Sequence, residues 1–293
     1  MWTSTSRGYR HSDPENLWPD GTTKLTAVGA PFAYLKDLAD KAGALPLRRE
    51  GTLVLPMHGT ALVQVFGDHE GYARDVLDRE GPSTVCLHIE DLEDRRVVEA
   101  WTAAGHSVVS AGERRDPRFL ARILSMMASA NRVVSNRMAT ALLYAAHAGA
   151  EVAVEGPDFR LGSDTAADPG TRMRELWPEF YEPAPDQGVL AKIARDELGI
   201  GDMRSSSELK EILGWGRPSA GPYLDYWIGA PLEKTRAVLG MSKRPEGAHG
   251  GEAGLSPWHW LRHPAKHLPS PLPGLEDFRL PEPLRLTPAG AVE

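Results

Sequence analysis

A chain of 293 residues with 41% hydrophobic side chains can fill one large or two modest globular domains, which excludes a disordered protein. Its 33 basic against 40 acidic residues leave a net charge of -7, the wrong sign for a protein that neutralises a phosphate backbone, so no nucleic acid partner is expected. The single cysteine, Cys86, excludes an intramolecular disulfide and a cysteine-rich metal site and fits a reducing, cytoplasmic compartment.

Residues 1–22 are polar, without the apolar core of a signal peptide, and no later run offers the roughly 18 apolar residues of a transmembrane segment. Residues 24–30 read as a strand, and Pro31 suits the first turn of a helix over 32–41. From Thr52 the pattern becomes regular. Strands are predicted over 52–56, 83–89, 106–110, 132–135 and 151–154, with helices over 68–79, 91–104, 117–130 and 137–148 between them. Short β-rich runs alternating with helices build βαβ units, so residues 23–156 are expected to form a doubly wound, mainly parallel, Rossmann-like α/β sheet. The alternation stops beyond Gly156. Residues 157–240 read as a helical region with helices over 188–198, 206–213 and 231–239, where Ser205 and Glu208 have capping-box spacing, Pro231 fits a helix start, and Gly199, Gly214 and Gly240 fit helix ends. Nine prolines among residues 241–293 predict a Pro- and Trp-rich extended tail.

In a doubly wound sheet, ligands bind beyond the carboxyl ends of the strands, so the residues there are the candidates. The strongest local signal is Ser135-Asn136-Arg137, with Thr140 one turn on, between an apolar strand and a helix. A helix starting there offers unpaired N–H groups and partial positive charge to a phosphate or carboxylate, with Arg137 as a cationic grip; the bland alternative is an ordinary capped core helix. Gly112-Glu113-Arg114-Arg115-Asp116-Pro117-Arg118 follows the strand over 106–110, and Arg114 and Arg115 could clamp a diphosphate, while Arg118 could simply pair with Asp116. His58, after the first strand, and His88 with Glu90, after the second, are candidates for acid/base work or for holding an anion; Glu90 and Asp91 could equally be first-turn acids of the next helix. Neither Gly-x-Gly-x-x-Gly, nor Gly-Lys-Ser/Thr, nor Gly-x-Ser-x-Gly occurs, and the histidines and acids show no compact metal-ligand spacing, so no cofactor or metal is expected.

The segments Leu55-Pro56-Met57-His58-Gly59-Thr60 and Val134-Ser135-Asn136-Arg137-Met138-Ala139-Thr140-Ala141-Leu142-Leu143-Tyr144-Ala145-Ala146 resemble the nucleotide-sugar half of bacterial GT-B glycosyltransferases of surface polysaccharide synthesis, of the sialyl- and Kdo-transferase-like kind. Gly59 stands where that group has the proline of a His-Pro pair, and asparagine follows Ser135 where the group has a Ser-rich turn. The resemblance covers residues 50–156. It implies a nucleotide sugar as ligand, with His58 on the phosphates and Ser135, Asn136 and Thr140 lining their pocket. The N-terminal 50 residues are too few for a second domain of GT-B type, which leaves the acceptor unknown and a non-catalytic alternative open. In that alternative the chain is a scaffold or regulator that holds a protein partner through its C-terminal region, where Trp215, Trp227, Trp258 and Trp260 are concentrated.

Overall fold

The computed structural model describes residues 7, 26–59, 65–114, 116–162, 169–214, 228–229, 232–233, 235–236 and 275–286. The expected regions 1–22 and 241–293, except Arg7 and residues 275–286, the helix over 231–239 except four positions, Gly240, Arg115 and the four C-terminal tryptophans lie outside them.

Helix α1, Pro31–Lys41, opens on the proline that fixes its first φ. Strand β1, Thr52–Val54, precedes a two-residue strand β2, Val65–Phe66, and helix α2, His69–Glu80, whose first turn is capped by the Asp68 carboxylate accepting from Gly71 N–H. Strand β3, Thr84–Cys86, leads to helix α3, Arg95–Ala103, and strand β4, Ser107–Ser110, to helix α4, Phe119–Ser129. Strand β5, Arg132–Ser135, helix α5, Thr140–Ala148, and strand β6, Glu151–Val154, follow; β7, Arg160–Leu161, pairs antiparallel with β2. Helices α6, Pro169–Leu176, and α7, Gln187–Glu197, come next.

Five strands run parallel in the order β6-β5-β1-β3-β4, and β8, Leu284–Arg285, adds antiparallel to the β4 edge. The architecture is a mainly parallel, Rossmann-like α/β sheet with helices on both faces. Period-2 alternation explains why both faces are apolar. Leu53, Val109, Val133 and Val152 join one core with residues of α1, α4, α5 and α7, whereas Val54, Val108, Val134 and Ala153 join a second core with Tyr72, Val76 and Trp101 of α2 and α3. The adjacent strand pairs lock this in register, Val54 lying opposite both Val85 and Val134.

Several boundaries differ from expectation for local reasons. Residues 26–30 form no strand; Ala30 N–H donates to Leu198 O instead of to a sheet neighbour. Helix α3 starts at Arg95 rather than Asp91, because Asp94 supplies the cap, accepting from Arg96 N–H at 3.0 Å. Helix α5 starts at Thr140 rather than Arg137, since the side chain of Asn136 is bound elsewhere, as set out below. The chain divides into two units, Met1–Met203 with Gly274–Glu293, and Arg204–Pro273; in the second, helix α8, Ser206–Ile212, carries the expected Ser205–Glu208 capping box. Among the described residues no helix is long and apolar enough to cross a membrane.

Candidate functional site

The strand order reverses beside β1: chain-sequential neighbours β3 and β4 lie on one side, and β5 and β6 on the other. Loops leaving β1 and β5 go to opposite faces, so a crevice is expected above that pair of strands. One buried side chain stitches it. Asn136, 3% exposed, accepts from Met57 N–H at 2.8 Å and donates to Pro157 O at 2.9 Å, fastening together the loops that follow β1, β5 and β6. Asn136, expected to line a ligand pocket, therefore spends both ends of its amide on the protein itself.

The β1 loop so held carries His58, which is exposed and stacks on the half-buried His88 from the β3 loop, ring centroids 4.4 Å apart and planes within 5°. The end of β4 is tied to the same place, since Ser110 Oγ donates to Leu87 O at 3.0 Å and accepts from Gly112 N–H at 3.1 Å. Further along that loop, Arg122 of α4 donates to Ala111 O and to Asp116 Oδ2, at 3.0 and 2.7 Å, so the ion-pair partner of Asp116 is Arg122, a pairing expected for Arg118. Arg114 is exposed on this loop, and its charge reaches His88.

Burial lowers the pKa of His88; the neighbouring His58 and Arg114 push the same way, and Glu90 opposes them. Burial pushes the Asp91 carboxyl up to about 6, with Glu90 and Asp94 adding to the rise and His58 and a backbone hydrogen bond at His88 opposing it. Three strand ends thus bring together two imidazoles, a guanidinium and a carboxyl group whose pKa burial raises to about 6. Such a set can hold an anion and move a proton beside it.

The β5 side is different in kind. Ser135 is buried, its Oγ accepting from Arg137 N–H at 3.3 Å, and the half-buried Arg137 guanidinium lies 3.4 Å from Met57 Sδ. Thr140 is exposed at the start of α5, where Ala139 provides no side-chain cap. Met138 N–H donates to the Tyr181 hydroxyl at 3.3 Å, and Arg174 lies over the Tyr181 ring, 4.3 Å from its centroid, while pairing with Asp158 at 3.2 Å. Burial raises the pKa of Tyr181, against the N–H of Met138 and the charges of Arg174 and Arg137.

Of the residues expected at the site, His58, His88, Glu90 and Arg114 come together, Arg137 and Thr140 flank the start of α5, and Ser135 and Asn136 turn inward. Asp91, Tyr181 and Arg174 are additions. Asp91 was legible only as a helix-start acid, and the segment containing Tyr181 and Arg174 has no periodicity that would aim it at a strand end.

Other chemistry-bearing groups serve the fold. Burial pushes the Cys86 thiol up to about 12, far from a reactive thiolate. His106 accepts from Ser83 N–H at 3.1 Å through Nδ1 and faces Ala73 O at 2.9 Å through Nε2, so its ring ties the start of β3 to α2. A surface cleft of about 400 Å³ between α2 and α3, floored by Ala100, Ala103 and Ala104, contains none of the expected site residues. Among the described residues no group of three or more His, Cys, Asp or Glu side chains is arranged to hold a metal ion.

Comparison of the chain with protein-family models, with curated proteins and with solved structures finds no match.

Proposed function

We propose that the chain binds a nucleotide-activated sugar across the carboxyl ends of β5, β1, β3 and β4 and acts as a glycosyltransferase-like protein in cell-surface polysaccharide or glycoconjugate synthesis. The observation that carries this reading is the His58–His88 stack beside Arg114, a concentration of cationic and protonatable groups at the end of a sheet where phosphates characteristically bind. The resemblance of residues 50–156 to nucleotide-sugar domains supplies the sugar. Arg114 and the start of α5 neutralise the phosphates, with Arg137 and Thr140 at that helix end. Asp91, whose carboxyl pKa burial raises to about 6, accepts the proton of the acceptor hydroxyl. The hydroxyl oxygen then bonds to the anomeric carbon as the bond from that carbon to the phosphate oxygen breaks, and the nucleotide leaves with the electron pair.

Titration calorimetry with UDP-, GDP-, dTDP- and CMP-sugars tests the reading. One of them is expected to bind with a Kd on the order of micromolar, and His58→Ala is expected to weaken it at least about tenfold. If none of the four classes gives heat or a thermal shift, the reading fails.

A further inference from the structure

We propose that the His58–His88 stack is an asymmetric pair in which His58 takes up one proton when an anion binds, while His88 remains the neutral ring beneath it. This rests on reading these strand ends as an anion site, and it assigns the work within that site.

The asymmetry follows from hydrogen-bond partners. His58 Nδ1 lies 2.7 Å from Gly59 O, an acceptor, so this nitrogen carries a hydrogen and Nε2 is the position left to gain or lose a proton. His88 is arranged the other way: its Nδ1 accepts a long hydrogen bond, 3.5 Å, from Glu90 N–H, which requires an unprotonated nitrogen there. Protonating His88 would break that contact. It would also set two positive rings face to face at 4.4 Å. One charged ring over one neutral ring is favourable instead, by the same attraction that places a cation over an aromatic face.

The surroundings reinforce this. Arg114, from the β4 loop, and His58, from the β1 loop, both disfavour charge on His88, and burial does so most. The acids that face the stack come from the β3 loop: Glu90 acts on His88, and Asp91, itself affected by Asp94, is acted on by His58. His58 is exposed where His88 is half-buried, so the chargeable ring is the one a solvent-borne anion meets first. An anion docked on His58 favours its protonated form, and by reciprocity the protonated form binds the anion more tightly. Affinity therefore rises as pH falls through the titration of His58. With one proton per anion, the ratio of affinities at the two ends of that titration equals the factor by which the anion favours the protonated ring.

Sulfate is the probe, because its charge is constant across this range and any pH dependence belongs to the protein. The ring proton and nitrogen signals of both histidines are followed by NMR as a function of pH, with and without sodium sulfate at constant ionic strength. Sulfate is expected to raise the midpoint of His58 by about one pH unit and to leave His88 in its neutral tautomer, and its affinity is expected to be about tenfold lower well above that titration than well below it. His88→Phe, which keeps an aromatic face, binds sulfate more weakly but keeps that slope; His58→Phe loses it. Sulfate that does not bind, that binds with pH-independent affinity, or that moves the midpoint of His88 overturns the proposal, and the wild-type titration decides even if a variant fails to fold. A nucleotide sugar that binds with no net proton uptake leaves the proposed function standing and removes this one. The expected sulfate behaviour without binding of any nucleotide sugar does the reverse.

Discussion

Replacing Asn136 by alanine tests whether the three loops at the head of the sheet are held by one side chain. The substitution removes the acceptor for Met57 N–H and the donor to Pro157 O, bonds of 2.8 and 2.9 Å to a residue that is 3% exposed. A hydrogen bond lost with water free to replace it costs about 1 kcal/mol, whereas a partner left buried and unsatisfied costs as much as about 3 kcal/mol. Met57 and Pro157 are both half-buried, so water reaches them in part and the lower figure governs, giving about 2 kcal/mol for the pair. Asn136→Asp separates the two bonds. It keeps the acceptor for Met57 but turns an oxygen on Pro157 O within a buried site, and it is expected to cost at least as much as alanine. Equilibrium urea unfolding followed by tryptophan fluorescence measures both, with the midpoint shifting at constant slope. An alanine variant within about 0.5 kcal/mol of the wild type, or an aspartate variant more stable than the alanine one, would refute the clamp.

Gly156 has φ of 125°, and a Cβ there would lie 2.4 Å from Cε2 of the fully buried Tyr72 and 3.0 Å from Cβ of Asn136, so Gly156→Ala combines backbone strain with a collision and should lower stability by about 2–4 kcal/mol. A Tm within a degree or two of the wild type in a calorimetric scan would sink that account. His147 on α5 has its pKa lowered from the usual 6.5 to about 4 by burial, with Lys36 and Arg195 adding and Asp40 opposing, so the folded state holds it neutral where the unfolded chain would protonate it. Stability linked to this ring is complete above about pH 6.5 and is lost as pH falls toward 4; after allowance for its partly wet edge the loss is about 1–2 kcal/mol. Urea midpoints at several pH values check it, and His147→Gln should flatten the slope between about pH 6.5 and pH 4.5.

Strands β5 and β6 fall where the sequence places them, residues 132–135 and 151–154, because each apolar run is closed by a polar residue or turn former at both ends. The other three parallel strands are shorter than their apolar runs, since residues such as Leu55 and Leu87 continue into the loops still packing or pairing: Leu55 N–H donates to Val134 O, and Leu87 N–H to Val109 O. The two-residue strands β2, β7 and β8 carry no period at all and exist only through their partners. At the site, strand-end position was enough to single out His58, His88, Glu90 and Arg114. It could not distinguish a side chain turned to solvent from one turned inward, which is why Asn136 and Ser135 read as pocket residues. The raised pKa of Asp91 depends on burial and on Glu90 and Asp94 closing around it, conditions that only the folded chain creates.

The position of β1 explains why these features are coupled. Because alternate residues of every parallel strand enter two apolar cores, polar chemistry is excluded from the strands and displaced to their ends. β1 alone is paired both with β3, from the half of the sheet wound over α2 and α3, and with β5, from the half wound over α4 and α5. Among the described residues its loop meets both: Met57 N–H is held by Asn136 from the β5 side, and the next residue, His58, lies on His88 from the β3 side. The β5 loop meets the β1 loop at Met57, through Asn136 on its N–H and Arg137 against its Sδ, one residue before the stacked His58. An anion bound at His58 should accordingly tighten the Asn136 clamp, and hydrogen exchange at Met57 N–H should slow when sulfate is added to the wild type but not to Asn136→Ala; equal slowing in both would show that the two halves of the site act independently.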